Sequence, residues 1–126
     1  MTAAARTPSP DWLADLFSSI DSQDTARFKG FLADDAEFRF GSAPAVVGRE
    51  QIGAAVDGFF ASIAGCQHDV PSTWSTGDSI VCEGEVTYRR HDGSEITLPF
   101  VNVFNMSGRL IARYKIYIDI GPLYAG

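Results

Sequence analysis

The sequence predicts an α+β domain. Three observations carry this reading. Apolar residues recur at helical spacing in the first half of the chain. Period-two alternation fills the second half. Short glycine-containing turns divide that second half into a strand meander. The 126 residues suit a single domain with one core, and a hydrophobic share of 45% is that of a globular chain.

The elements follow in order. The first nine residues, within MTAAARTPSP, lack an apolar signal core and read as a frayed tail, so the domain proper is expected over 10–126. Ser9-Pro10-Asp11 starts a helix: Ser9 can cap, Pro10 suits the first helical position, and Asp11 favours the positive helix end. Trp12, Leu13, Leu16, Phe17 and Ile20 then recur at helical spacing. A second short helix follows Asp21-Ser22, carries Phe28, Phe31 and Leu32 inward, and is expected to end near Asp34-Asp35. Glu37 to Phe40 reads as a short strand, and Gly41 to Pro44 as a turn. A third helix begins after Gly48, with Ile52, Ala55, Val56, Phe59, Phe60 and Ile63 as its apolar stripe and Gly65 as its stop.

Four antiparallel strands are expected next, over about 68–75, 79–91, 95–104 and 110–120. Asp92-Gly93 is expected to form a two-residue hairpin turn with positive φ at both positions. Alternation assigns Ile80, Cys82, Gly84, Val86 and Tyr88 to the face that meets the helices. It places Leu110, Ala112, Tyr114, Ile116 and Ile118 there too. Glu83 and Glu85 fall on the other face, where Arg113 and Lys115 are their expected partners. In the third of these strands both faces are apolar: Val101 and Val103 lie opposite Phe100, Asn102 and Phe104. A second subunit is the simplest cover for them, so a homodimer is expected.

Net charge is −6, which argues against nucleic acid and against anionic membrane surfaces. No run approaches the ~20 apolar residues that span a bilayer, and the cytoplasm is the default compartment. Cys66 and Cys82 are too few for a disulfide framework, and the sequence has no phosphate loop, metal-ligand cluster or nucleophile motif. Neither a cofactor nor a metal is therefore expected.

Several phrases together resemble a known family: two helices leading into LADDAEFRFG, Gly-Arg-Glu opening the third helix, QHDVPSTW, EGEVTYRRHDG, and LPFVNVFNMSGRLIARYKIYID. This is similar to SnoaL-like proteins of the nuclear-transport-factor-like superfamily, and more distantly to ketosteroid isomerases, limonene-epoxide hydrolases and scytalone dehydratases. The resemblance covers nearly the whole chain. It implies a cone-shaped, strongly curved antiparallel sheet, a cystatin-like roll, with three N-terminal-half helices covering an apolar pocket for a small molecule. It also implies which activities are absent. The isomerase's base, tyrosine and second acid fall at Phe40, Leu16 and Phe100, so that mechanism is lost. Arg90 and Asp92 have the hydrolase spacing, but Asp92 belongs to a turn and the last-strand acid is replaced by Ile116. Gln67-His68 and Asn102 resemble the dehydratase's pocket histidine and asparagine.

The candidate catalytic residues are therefore His68, Asn102 and Tyr88. An unperturbed imidazole can exchange protons near neutral pH, so His68 either carries a proton or is a half-exposed junction residue. Asn102 either bonds a neighbouring backbone group or reaches into the pocket. Tyr88 could donate a phenolic hydrogen bond. Phe17, Phe40, Phe60, Trp74 and Phe100 are the expected apolar ligand contacts, and Arg90 a contact at the rim. No acidic residue has a clear claim to the place beside His68, and Asp119 is expected in an interface salt bridge. The implied activities are isomerisation, cyclisation or dehydration by proton transfer, or else ligand binding without catalysis.

Overall fold

A computed structural model describes residues 10–125. The order of elements is α1 (Asp11–Asp21), α2 (Thr25–Lys29), β1 (Leu32–Phe40), β2 (Val46–Val47), α3 (Arg49–Ala61), β3 (Gly65–Thr76), β4 (Ser79–Arg89), β5 (Glu95–Ser107), β6 (Leu110–Tyr117) and α4 (Gly121–Ala125). The strands form one curved, unclosed sheet in the order β2-β1-β6-β5-β4-β3. The class is α+β, with α1, α2 and α3 in the N-terminal half, as the patterning predicts. No helix among the described residues is long and apolar enough to cross a membrane. The frayed tail and the Ser9 cap expected from the sequence lie outside the described residues.

The core sits between the concave face of the sheet and the helices. Leu13, Leu16 and Phe17 come from α1, Phe28 from α2, and Ile52, Val56 and Phe60 from α3. Cys82, Val86, Tyr88, Leu98, Phe100, Phe104 and Tyr114 come from the sheet, and all are buried. Sequence parity sorts β4 correctly: every even residue from Ile80 to Tyr88 is buried, while Glu83 and Glu85 are exposed. Arg49, at the start of α3, donates to the Leu32 carbonyl at 2.5 and 3.1 Å, which ties α3 to β1.

Several expectations are corrected. The second helix stops at Lys29, and Leu32–Phe40 is a strand that pairs with β6 in parallel, the one parallel pairing among the described residues. Those pairing bonds, together with burial of Leu32, Ala36 and Phe38, override the helical reading of Phe31-Leu32. The turn holds His91-Asp92-Gly93 between Arg90, whose backbone N–H donates to the Ser94 carbonyl, and Ser94, whose N–H donates to Asp92 Oδ1, with positive φ at Gly93 alone. It is a three-residue loop with a glycine in the left-handed position. In β6 an irregularity opposite Asn105/Met106 turns Ile111 inward in place of Leu110 and Ala112. The intervening strand β5 keeps Glu83 and Glu85 on β4 from Arg113 on β6, which instead meets Glu37 at 3.3 Å. Asp119 accepts from the Gly121 N–H at 3.1 Å and so shapes the entry to α4, an element the sequence reading missed.

One irregularity matters for the site. β3 bulges between Asp69 and Ser72, so His68 lies opposite Val86 but Thr73 lies opposite Cys82 and Trp74 opposite Val81. Pro71 sits inside this bulge, where its missing N–H costs no ladder bond. The extra residue reverses parity, so Thr73 is buried while Trp74 moves to the outer face. The expectation that Trp74 contacts a ligand is therefore corrected.

Candidate functional site

The concave face and the helices enclose a cavity of about 250 Å³. Its deep wall includes Val86, Tyr88, Phe100, Asn102 and Tyr114, all buried. Exposed Ala43, Pro44 and Ala55 edge its mouth. Phe40 and Phe59 stand between, with ring centroids 5.0 Å apart. Of the residues named from the sequence, His68, Asn102, Tyr88, Phe40, Phe60 and Phe100 all face this cavity. Phe17 lies one layer back, with its ring centroid 4.8 Å from that of His68 and 6.1 Å from that of Phe100. Arg90 is not on the wall. Its guanidinium donates to the Leu123 and Pro122 carbonyls at 2.9 and 3.0 Å, so it fastens α4 rather than a ligand.

The sequence reading missed Asp21, the last residue of α1. Its Oδ1 lies 2.5 Å from His68 Nδ1, and its Oδ2 accepts the His68 backbone N–H at 3.0 Å. Two contacts to one residue fix the carboxylate and the imidazole together. The His68 side chain is only 10% exposed and that of Asp21 26%, so the pair is largely shielded from water. A faint signal was present. Asp21 sits at the negative end of a helix dipole, where a cation is the favoured neighbour and the last turn has none. A residue that breaks a local rule is often held there by a distant partner.

Asn102 lies between buried Cys82 on β4 and half-buried Ile116 on β6. Its Oδ1 is buried without a hydrogen-bond partner among the described residues. Such an acceptor costs roughly 1–3 kcal/mol. Asn102→Leu keeps the volume and removes that cost. It is expected to raise stability by about 1 kcal/mol in urea unfolding while abolishing the polar contact the cavity offers. A fall in stability would mean that the amide is satisfied.

Tyr88 is a phenol here: burial is the main reason its pKa rises, with charge at Cys66, Tyr124 and Asp21 adding to it. It can therefore donate and stays neutral. The Cys66 thiol is pushed up to about 12, first by burial and then by Asp21, so it is a poor nucleophile. Burial likewise pushes Cys82 up to about 12. The cavity thus combines an almost wholly apolar lining with one imidazole, backed by the Asp21 carboxylate outside the wall, one unsatisfied amide and neutral hydroxyls.

A family profile described as SnoaL-like domain matches residues 13–114. No curated protein matches the sequence. Among solved structures, a hypothetical protein with a ketosteroid isomerase-like fold from Catenulispora acidiphila, in complex with trimethylamine, superposes with a TM-score of 0.81 at 15% identity. It covers 87% of this chain and 86% of its own. A candidate SnoaL-like polyketide cyclase from Jannaschia sp. CCS1 gives 0.81 at 18% identity, covering 95% of each chain. An epoxide hydrolase of M. tuberculosis, like the limonene-epoxide hydrolases, gives 0.75 at 12% identity, covering 89% of this chain and 83% of its own. These likenesses establish the nuclear-transport-factor-like fold. With the profile spanning most of the core, the chain belongs to the SnoaL-like domain family.

Proposed function

We infer that the domain binds a small, largely apolar molecule carrying an oxygen function and transfers a proton on it without a cofactor. The observation that carries this is His68 on the wall of an aromatic cavity, with the Asp21 carboxylate held against its Nδ1 from behind that wall. With Nδ1–H held by Asp21, Nε2 is the ring nitrogen left to take a proton from a carbon beside a carbonyl. Asp21 orients the ring and stabilises the imidazolium that results. The oxygen of the substrate gains negative charge as the proton leaves. Asn102 and Tyr88 are the groups that meet it: a half-turn of the Asn102 amide presents Nδ2 to an oxyanion, and its Oδ1 otherwise accepts from a hydroxyl. Apolar walls exclude water and strengthen each of these contacts. Isomerisation, aldol-type cyclisation and dehydration all begin with this step, and one solved relative in fold is described as a candidate polyketide cyclase.

The test is exchange of the α-protons of a bicyclic aromatic ketone, such as a hydroxytetralone, in deuterated buffer, followed by proton NMR. The protein is expected to accelerate exchange well beyond buffer. Binding without acceleration would favour the rival reading, a non-catalytic ligand-binding module.

The outer face supports a second proposal, a homodimer. Val101, Val103, Val81 and Trp74 are half-buried there, and Tyr117 is 57% exposed beside Val101 in the ladder. Sedimentation at micromolar concentration is expected to give twice the chain mass. Val103→Glu should return the monomer, since it puts a charge into the centre of that face. A monomeric wild type would end this proposal and leave the cavity reading intact.

A further inference from the structure

We propose that Asp21, Cys66 and His68 form a three-ligand site for Zn²⁺. The carboxylate Oδ1, the thiol sulfur and an imidazole nitrogen all lie within 4.8 Å of one another. Cys66 and His68 are two apart on β3 and so present the same face of the strand. Asp21 closes the triangle from the end of α1. The Cys66 Sγ is 3.7 Å from Asp21 Oδ1 and 3.8 Å from the Ile20 carbonyl oxygen. Around a tetrahedral zinc with bonds of about 2.0 Å to N or O and 2.3 Å to S, ligand atoms stand roughly 3.3–3.6 Å apart. The sulfur–oxygen separation of 3.7 Å is already within about 0.2 Å of that size. The Oδ1–Nδ1 contact of 2.5 Å must open by less than about 1 Å.

Three further features suit a cation. The charges balance, because a carboxylate and a thiolate neutralise a dication in a site that could not otherwise hold net charge. The carboxylate is oriented from behind, since Asp21 Oδ2 accepts the His68 N–H and leaves Oδ1 for the ion. A route in exists as well. Asp21 and His68 also line a shallow surface depression with Leu13, Ala14, Phe17, Ser18, Ser22 and Val70, so an ion reaches the ligands without crossing the apolar cavity. Three protein ligands leave the fourth position for water or a ligand oxygen, and the donor set of one S, one N and one O is that of a borderline-soft ion. On binding, the Cys66 thiol releases its proton to solvent. His68 ligates through Nδ1 and carries its proton on Nε2. Zinc therefore removes the base described above, so it would inhibit that activity while occupying a site defined independently of it.

The experiment is a titration of the reduced protein with Co²⁺ under argon. A thiolate-to-cobalt charge-transfer band in the near ultraviolet and the visible bands of a tetrahedral ion should rise to one equivalent and be displaced by Zn²⁺. C66S should remove the charge-transfer band. C66S and D21N should each weaken Zn²⁺ at least about 100-fold in competition with a chromophoric chelator. Cys82→Ser should leave all of this unchanged, and circular dichroism reports whether each variant is folded. Absence of the bands in the wild type, or a band that survives in folded C66S, overturns the metal site. Neither result bears on proton exchange by the metal-free protein, which is measured in chelator.

Discussion

His68→Ala is expected to slow α-proton exchange in the bicyclic ketone by about 10²–10⁴-fold, the usual contribution of a positioned general base. That range corresponds to roughly 3–5 kcal/mol of barrier. Asp21→Asn should cost about 10²-fold or more by a different route. The asparagine can still fill the space beside Nδ1, but it offers no charge to the imidazolium and can hold the wrong tautomer. Ketone binding should be nearly unchanged in Asp21→Asn, so the loss should appear in kcat and not in KM. His91 supplies the control. It is exposed at the far hairpin, where its Nε2 meets the Ala61 carbonyl at 2.9 Å, and His91→Ala should leave exchange unaltered. Equal rates in wild type, His68→Ala and Asp21→Asn would remove the base from the account.

Gly84→Ala is expected to destabilise the fold by about 3 kcal/mol. A Cβ at this position would stand 2.0 Å from the Asp69 carbonyl oxygen and 3.0 Å from both the Asp69 carbonyl carbon and the Val70 Cα. These are backbone atoms, so no rotamer change relieves the clash. The β3 bulge must lift off β4, and with it goes the register that points His68 and Thr73 inward while Trp74 points out. Ligand binding should therefore weaken together with stability. Gly58→Ala is the contrasting substitution. A Cβ there meets nothing within 4 Å in the last turn of α3, so stability should rise by up to about 0.5–1 kcal/mol. Urea unfolding of the two variants with unchanged m-values would separate the effects. A loss at Gly84 no larger than about 0.5 kcal/mol would mean the bulge does not pack there.

The fold was largely legible because periodicity reports burial, and burial here is simple along β4, β5 and α1. It failed where one residue is inserted. The β3 bulge moved Trp74 out of the pocket, and the β6 irregularity exchanged Ala112 for Ile111. Parity cannot anticipate an extra residue, although Pro71 hinted at the first. The polar wall was half legible. His68, Asn102 and Tyr88 lie on strands whose inner parity could be counted. Asp21 could not be counted with them, because it reaches His68 from the end of a helix 47 residues earlier. Its partner depends on how α1 crosses the sheet, which no local pattern encodes. Arg90 was misread for the same reason, since its partners lie in α4, a five-residue helix with no period to detect.

The account rests on a cavity that holds an apolar, oxygen-bearing molecule between Asn102 and the Asp21–His68 pair. Two-dimensional NMR of labelled protein during titration with the hydroxytetralone tests this most directly. The expected result is saturable shifts of the Asn102 side-chain amide and the His68 ring signals, with contacts from ligand protons to Phe40, Phe60 and Phe100. The His91 ring should stay still. Shifts confined to Trp74 and the outer valines, or no saturation at the solubility limit of the ketone, would contradict the account.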